Sequence, residues 1–139
     1  MLKKNMIEHI KKGKLLLGLI IRRNYLEKKG INFFTKNKLS QQVAFANHPK
    51  DYVIKAHSHK NIKRIIKGTP EVLIILSGKM KIYFYGIKDN YLFSKVVKKN
   101  DIIILINGGH SFKMLEKCKF IEVKQGPYFQ SKDKKQFNS

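Results

Sequence analysis

Four side chains in this chain carry donors that suit one shared metal ion: His57, His59, Glu71 and His110. Three imidazoles and one carboxylate can hold a divalent cation on one side, leaving positions for water or substrate. His57 and His59 stand two apart. In a strand both rings point the same way, with Cα atoms about 7 Å apart, a span that two imidazoles can close on one ion. Glu71 opens the apolar run Glu71-Val72-Leu73-Ile74-Ile75-Leu76. A carboxylate buried there needs a partner, because an unpaired buried charge costs several kcal/mol. His110 follows Gly108-Gly109, whose conformational freedom permits a tight turn that aims the imidazole back toward a site.

These four residues sit in a pattern of short strands. Lys14 to Arg22 is a continuous apolar run of strand length, Ile31 to Thr35 a second strand, and Gln41 to Asn47 a third. Tyr52 to His59 alternates and is expected to be a strand that carries His57 and His59. Glu71 to Leu76, Met80 to Tyr85, Tyr91 to Val97, Ile102 to Ile106, Phe112 to Leu115 and Lys119 to Gln125 follow. Turn signals separate them at Ser77-Gly78-Lys79, Gly86 to Asn90, Lys98 to Asp101 and Asn107-Gly108-Gly109. Strands recurring every 8–12 residues with turns between them mark an all-β sandwich or barrel. The expected organisation is a polar lead-in over 1–13, one β domain over 14–129 and a polar tail over 130–139.

The composition fits one such domain. A chain of 139 residues buries roughly 65–70% of the surface its unfolded form exposes, so an apolar core is available without disulfide staples. The single Cys118 has no partner for an internal disulfide, which fits a reducing, cytoplasmic setting. It lies between Lys117 and Lys119, and nearby cations lower a thiol's pKa. No catalytic base is visible beside it, so it reads as incidental. Leu15 to Ile21 is far shorter than the ~20 residues of a membrane span and reads as a buried strand, not a signal peptide. No membrane insertion is expected.

The formal charge is +21, yet 27 of the 30 basic residues are Lys, scattered along the chain. There is no Arg-rich arm and no zinc-finger spacing. Abundant Lys, Ile and Asn are what A/T-rich codons would produce. Attraction of an anionic small substrate is the next reading, and nucleic-acid binding through the basic surface the remote one.

Taken together, the motif residues resemble the cupin superfamily. Its first motif, Gly-x5-His-x-His-x3–4-Glu-x6-Gly, reads here His57-Ser58-His59 and then Glu71-Val72-Leu73-Ile74-Ile75-Leu76-Ser77-Gly78, which keeps the Glu-x6-Gly half. Its second, Gly-x5-Pro-x-Gly-x2-His-x3-Asn, reads here Asn100-Asp101-Ile102-Ile103-Ile104-Leu105-Ile106-Asn107-Gly108-Gly109-His110. Asn100 replaces the opening Gly, and Asn107-Gly108-Gly109 replaces the Pro-x-Gly turn. Eleven residues, Lys60 to Pro70, separate His59 from Glu71 where the family has three or four. That departure leaves a structural role for Glu71 as the alternative to ligation. The chain is also similar to a narrower group of small bacterial cupins found near surface-sugar synthesis genes. Gly30-Ile31-Asn32-Phe33-Phe34-Thr35, Arg64, Gly68-Thr69-Pro70-Glu71-Val72-Leu73, Gly108-Gly109-His110 and Glu122-Val123-Lys124-Gln125-Gly126-Pro127-Tyr128 carry that likeness. The resemblance implies a cupin jelly-roll barrel (a double-stranded β-helix), one divalent ion such as Zn, Fe, Mn or Ni on His57, His59, Glu71 and His110, and a homodimer.

Around that ion, Arg64 is a candidate clamp for a carboxylate or phosphate. Glu122 and Lys124 share one strand face. Turned inward they line the site; turned outward they form a solvated pair worth roughly 0–1 kcal/mol. Gln125 and Tyr128 flank the stiff Gly126-Pro127 turn and are candidate substrate contacts. Arg64, Glu122, Lys124 and Tyr128 are the catalytic candidates. His9 and His48 read as surface residues. The expected activity is isomerase- or epimerase-type chemistry on a small anionic substrate such as a sugar nucleotide or phosphosugar. A bound Lewis acid would polarise its carbonyl. An Fe(II)-dependent oxygenase and a non-catalytic ligand-binding module are the alternatives.

Overall fold

A computed structural model describes residues 6–25 and 29–138 of the chain. Residues 1–5 of the lead-in, 26–28 of the polar connection and 139 of the tail lie outside the described residues. The described residues hold ten strands and no helix, so none is long and apolar enough to cross a membrane. All strand pairs are antiparallel. The chain forms two compact units, one of residues 1–25 and 69–139, the other of residues 26–68.

The larger unit contains β1 (Ile7–Lys12), β2 (Leu15–Ile21), β5 (Glu71–Ser77), β6 (Lys79–Tyr85), β7 (Tyr91–Lys98), β8 (Ile102–Leu105), β9 (Gly109–Met114) and β10 (Lys119–Lys124). They make a five-stranded sheet ordered β1-β2-β8-β5-β10 and a three-stranded sheet ordered β7-β6-β9. Neither sheet closes on itself, so the architecture is two open antiparallel sheets that share a core. Ile10, Leu17, Ile20, Leu73, Ile75, Ile103 and Leu105 come from the first sheet, and Met80, Ile82, Phe84 and Val97 from the second. Period-2 alternation explains the second sheet: Met80, Ile82 and Phe84 face the core while Lys79, Lys81 and Tyr83 alternate with them. The central strands β2, β5 and β8 are apolar on both faces, as their unbroken Leu/Ile/Val runs require.

The chain passes between the sheets at β5–β6, β7–β8, β8–β9 and β9–β10. Gly78 makes the first crossing at φ 79°, and a Cβ there would run into the Lys117 carbonyl. The glycine that closes the Glu-x6-Gly pattern is thus a packing and backbone requirement. The β7–β8 turn, with Asn100 at φ 70°, is pinned by buried Asp101. Its carboxylate accepts from Arg23 N at 2.7 Å, Lys98 N at 2.9 Å and Arg22 Nη1 at 3.3 Å. Arg22 also pairs with Glu8 at 2.7 Å and donates to the Val96 carbonyl. Arg22 lies at the end of β2 and Val96 in β7, so one guanidinium ties the two sheets. The pull of Arg22 and Lys95 overcomes the burial of Glu8 and holds its carboxyl below the ordinary 4.5.

The smaller unit contains the hairpin of β3 (Gly30–Phe33) and β4 (Ala44–Asn47). Gln42 organises its loop. The amide accepts from Thr35 Oγ1 at 3.0 Å and donates to the Lys36 and Leu39 carbonyls, while Thr35 Oγ1 accepts from Val43 N. The expected strand over Tyr52 to His59 is not formed. Residues 52–67 carry no regular structure and are exposed throughout. Alternation makes a segment fit to be a strand, but its backbone groups still need a ladder partner. None of the described residues pairs with it.

Candidate functional site

In the larger unit, strand register brings Glu71 and His110 together. Glu71 opens β5 opposite Leu105 of β8 and Lys124 of β10. Directly opposed residues share a sheet face, so Glu71 shares that of Leu105 and, two along β5, of Leu73, both in the core. His110 lies in β9 opposite core Phe84, with its ring stacked on Phe112 at 5.2 Å between centroids. The residues meet at 3.2 Å, Glu71 Oε2 to His110 Nε2. Glu71 is 7% exposed. The hydrogen bond from His110 opposes the burial penalty and, with the fields of His110, Lys124 and Lys134, holds its carboxyl below 4.5. The buried carboxylate therefore has the partner its burial demands.

The same 3.2 Å suits two ligands of one ion. Donors bound at 2.0–2.1 Å on a tetrahedral ion stand about 3.3 Å apart. An oxygen and an imidazole nitrogen match Zn, Mn, Fe or Ni. Beside them, Lys124 Nζ lies 3.7 Å from Glu122 Oε1 and 5.0 Å from the Tyr128 ring centroid. Register places Glu122 opposite Leu73 and Lys124 opposite Glu71, so both project from the inner face of edge strand β10. Gln125 is tied to its surroundings: its N donates to the Pro70 carbonyl at 3.3 Å and its Nε2 to the Gly126 carbonyl at 2.7 Å. Tyr128 is exposed apart from its contact with Lys124.

The other candidates lie in the smaller unit. The His57 and His59 rings are 5.4 Å apart, nearly perpendicular. His57 Nδ1 sits 2.9 Å from the Lys55 carbonyl. A hydrogen on Nδ1 leaves the Nε2 lone pair free, the arrangement that orients metal-binding histidines. The four candidates thus lie as two pairs, one in each unit. Among the described residues, no group of three or more His, Cys, Asp or Glu is placed to hold a metal ion. Arg64 is exposed and makes no ion pair among the described residues.

Three readings outside the motif change or gain detail. His48 is half-buried, stacks on Tyr52 at 4.1 Å and keeps Nε2 buried without a hydrogen bond, whereas His9 is exposed. The Cys118 thiol is pushed upward by burial and then by Glu116. The Arg22–Asp101 cluster carries no signal in the sequence beyond an Asp in a turn. Comparison of the chain with protein-family models, curated proteins and solved structures found no match.

Proposed function

We propose that the chain is a cupin-type metal-binding protein whose Glu71–His110 pair takes part in holding a divalent ion, and that it acts on a small anionic substrate in isomerase- or epimerase-type chemistry. The buried, inward-facing carboxylate 3.2 Å from an imidazole nitrogen carries this reading. Two open sheets with the chain passing repeatedly between them suit the jelly-roll layout that the motifs imply. Two protein ligands leave the remaining coordination positions of a divalent ion open for water or substrate.

The bound ion would supply a Lewis acid that polarises a substrate carbonyl. The chain's own groups bind and orient. Lys124 offers an ammonium to an anionic oxygen, and Tyr128 presents an exposed ring to the same substrate. Glu122 would be the carboxylate that moves a proton. The positive field of the chain would raise the local concentration of a phosphorylated or nucleotide-linked sugar.

Metal analysis of the purified protein beside His110→Ala, Glu71→Gln and His57→Ala tests the centre. Equal metal content in all four sinks it. A panel of nucleotide sugars and phosphosugars should raise the melting temperature of the metal-loaded protein and leave Lys124→Ala unmoved. No shift with any of them removes the anionic-sugar assignment.

A further inference from the structure

The three-stranded sheet has a second face, turned away from the core and remote from the chemistry proposed above. Register lays it out row by row. Lys79 stands opposite Lys98; Lys81 lies between Val96 and Lys113; Tyr83 lies between Ser94 and Ser111. Tyr91 extends the row of rings, 6.4 Å from Tyr83, while Tyr85 beyond it is buried against Phe137 at 5.1 Å between centroids. Lys81 Nζ sits 5.3 Å from the Tyr83 centroid. Tyr91 is 57% exposed. The strands β6, β7 and β9 contain no Asp or Glu. Lys79 is engaged by Glu116 at 2.8 Å, but Lys81, Lys98 and Lys113 form no ion pair among the described residues.

We infer that this face is a docking surface for single-stranded polynucleotide, bound without strong sequence preference. A sheet face bearing aromatic rings between cations is the arrangement that stacks bases while ammonium groups follow the phosphates. Lys79, Lys81 and Tyr83 lie two residues apart on one strand, roughly 7 Å per step. The chain can therefore run along β6 with charge at one end and rings at the other. Duplex fits poorly, because its bases have no open faces for Tyr83 and Tyr91. The only polar groups opposite Tyr83 are the Ser94 and Ser111 hydroxyls, too few to read a sequence. The net charge of +21 supplies complementarity over the whole chain, and this face adds the rings that charge alone lacks.

Fluorescence anisotropy of the full chain with a labelled oligo-dT of about 15 nucleotides tests the inference. Binding should weaken with salt, and Lys81→Ala with Lys113→Ala should lower the log–log salt slope by about 1.4, at 0.7 per phosphate. Tyr83→Ala should weaken binding roughly 5- to 150-fold, and Tyr83→Phe should restore it. If Tyr83→Ala fails to fold, the phenylalanine variant and the lysine pair still decide the matter. Four results overturn the assignment. One is no binding at low salt. Another is undiminished binding by folded Tyr83→Ala. The third is an equal loss of slope from Lys11→Ala with Lys12→Ala, in β1 of the other sheet. The last is heparin binding that matches oligo-dT and depends equally on Tyr83, which would reassign the face to an acidic polysaccharide.

Discussion

Glu71→Gln, studied in protein stripped of metal by a chelator, isolates what the carboxylate contributes. The amide keeps the shape of Glu71 and removes its charge. The lost interaction is one charge-assisted hydrogen bond at 3.2 Å, between a nearly buried carboxylate and an imidazole that is 27% exposed. Such bonds contribute about 1.5–3 kcal/mol, and the partial exposure of His110 places this one at the low end, about 1.5–2 kcal/mol. For a domain of this size that is a fall in Tm of about 5 °C. Because folding lowers the pKa of Glu71, its contribution is fully present above pH 4.5 and is lost as the pH falls through the lowered value. Urea titrations of wild type and variant should therefore differ by this amount at pH 7, with the gap narrowing steadily below pH 4.5. His110→Ala should cost a similar amount, and the double variant should show a coupling of about 1 kcal/mol or more. Adding zinc at a hundred times its Kd should stabilise the wild type by about 2.7 kcal/mol and Glu71→Gln by less. Equal stability of wild type and Glu71→Gln at pH 7, or a gap unchanged in acid, would refute the pairing.

The remaining predictions concern the frame around the pair. Asp101→Ala should destabilise the protein by about 2–4 kcal/mol in urea titrations, since it leaves the Arg23 and Lys98 backbone N–H groups without their acceptor and removes one of the three partners of Arg22; a cost under 1 kcal/mol would mean that the cluster does not join the sheets. Gly78→Ala should cost about 2 kcal/mol or more, because the new Cβ meets both a positive φ and the Lys117 carbonyl. Cys118 should react with a thiol reagent at pH 7 more slowly in the native protein than in urea, its thiol being held neutral by burial and Glu116; equal rates would contradict that environment.

Much of the strand pattern was legible because it is local. Alternation in Met80 to Tyr85 and unbroken apolar runs at Leu15 to Ile21 and Ile102 to Ile106 record which faces are buried, and the observed strands follow them. What was not legible depends on partners distant in the chain. Tyr52 to His59 alternates as a strand does, but alternation cannot provide the second strand. Asp101 looks like any turn Asp until Arg22, 79 residues away, is placed beside it. The raised Cys118 thiol was not legible for the same reason: its lysine neighbours are adjacent in sequence, but burial and Glu116 act on it.

Glu71 shows how far spacing can be trusted. Measured from His59, Glu71 lies beyond eleven intervening residues, more than the three or four of the motif it resembles. Yet neither Glu71 nor His110 depends on that interval for its orientation. Glu71 is set by the pairing of β5 with β8 and β10, which places it opposite Leu105 and Lys124. His110 is set by the pairing of β9 with β6, which places it opposite Phe84. A one-residue slip in either ladder would turn the side chain to the opposite face and expose the apolar neighbours that now fill the core. The cost of exposing Leu73, Ile75, Ile82 and Phe84 therefore enforces the meeting of Glu71 and His110, at about 1.5–3 kcal/mol for each large apolar side chain. An insertion between His59 and Glu71 changes the length of a connection and leaves that enforcement intact, so Glu71 and His110 are the two members of the original four whose partnership the larger unit fixes by itself.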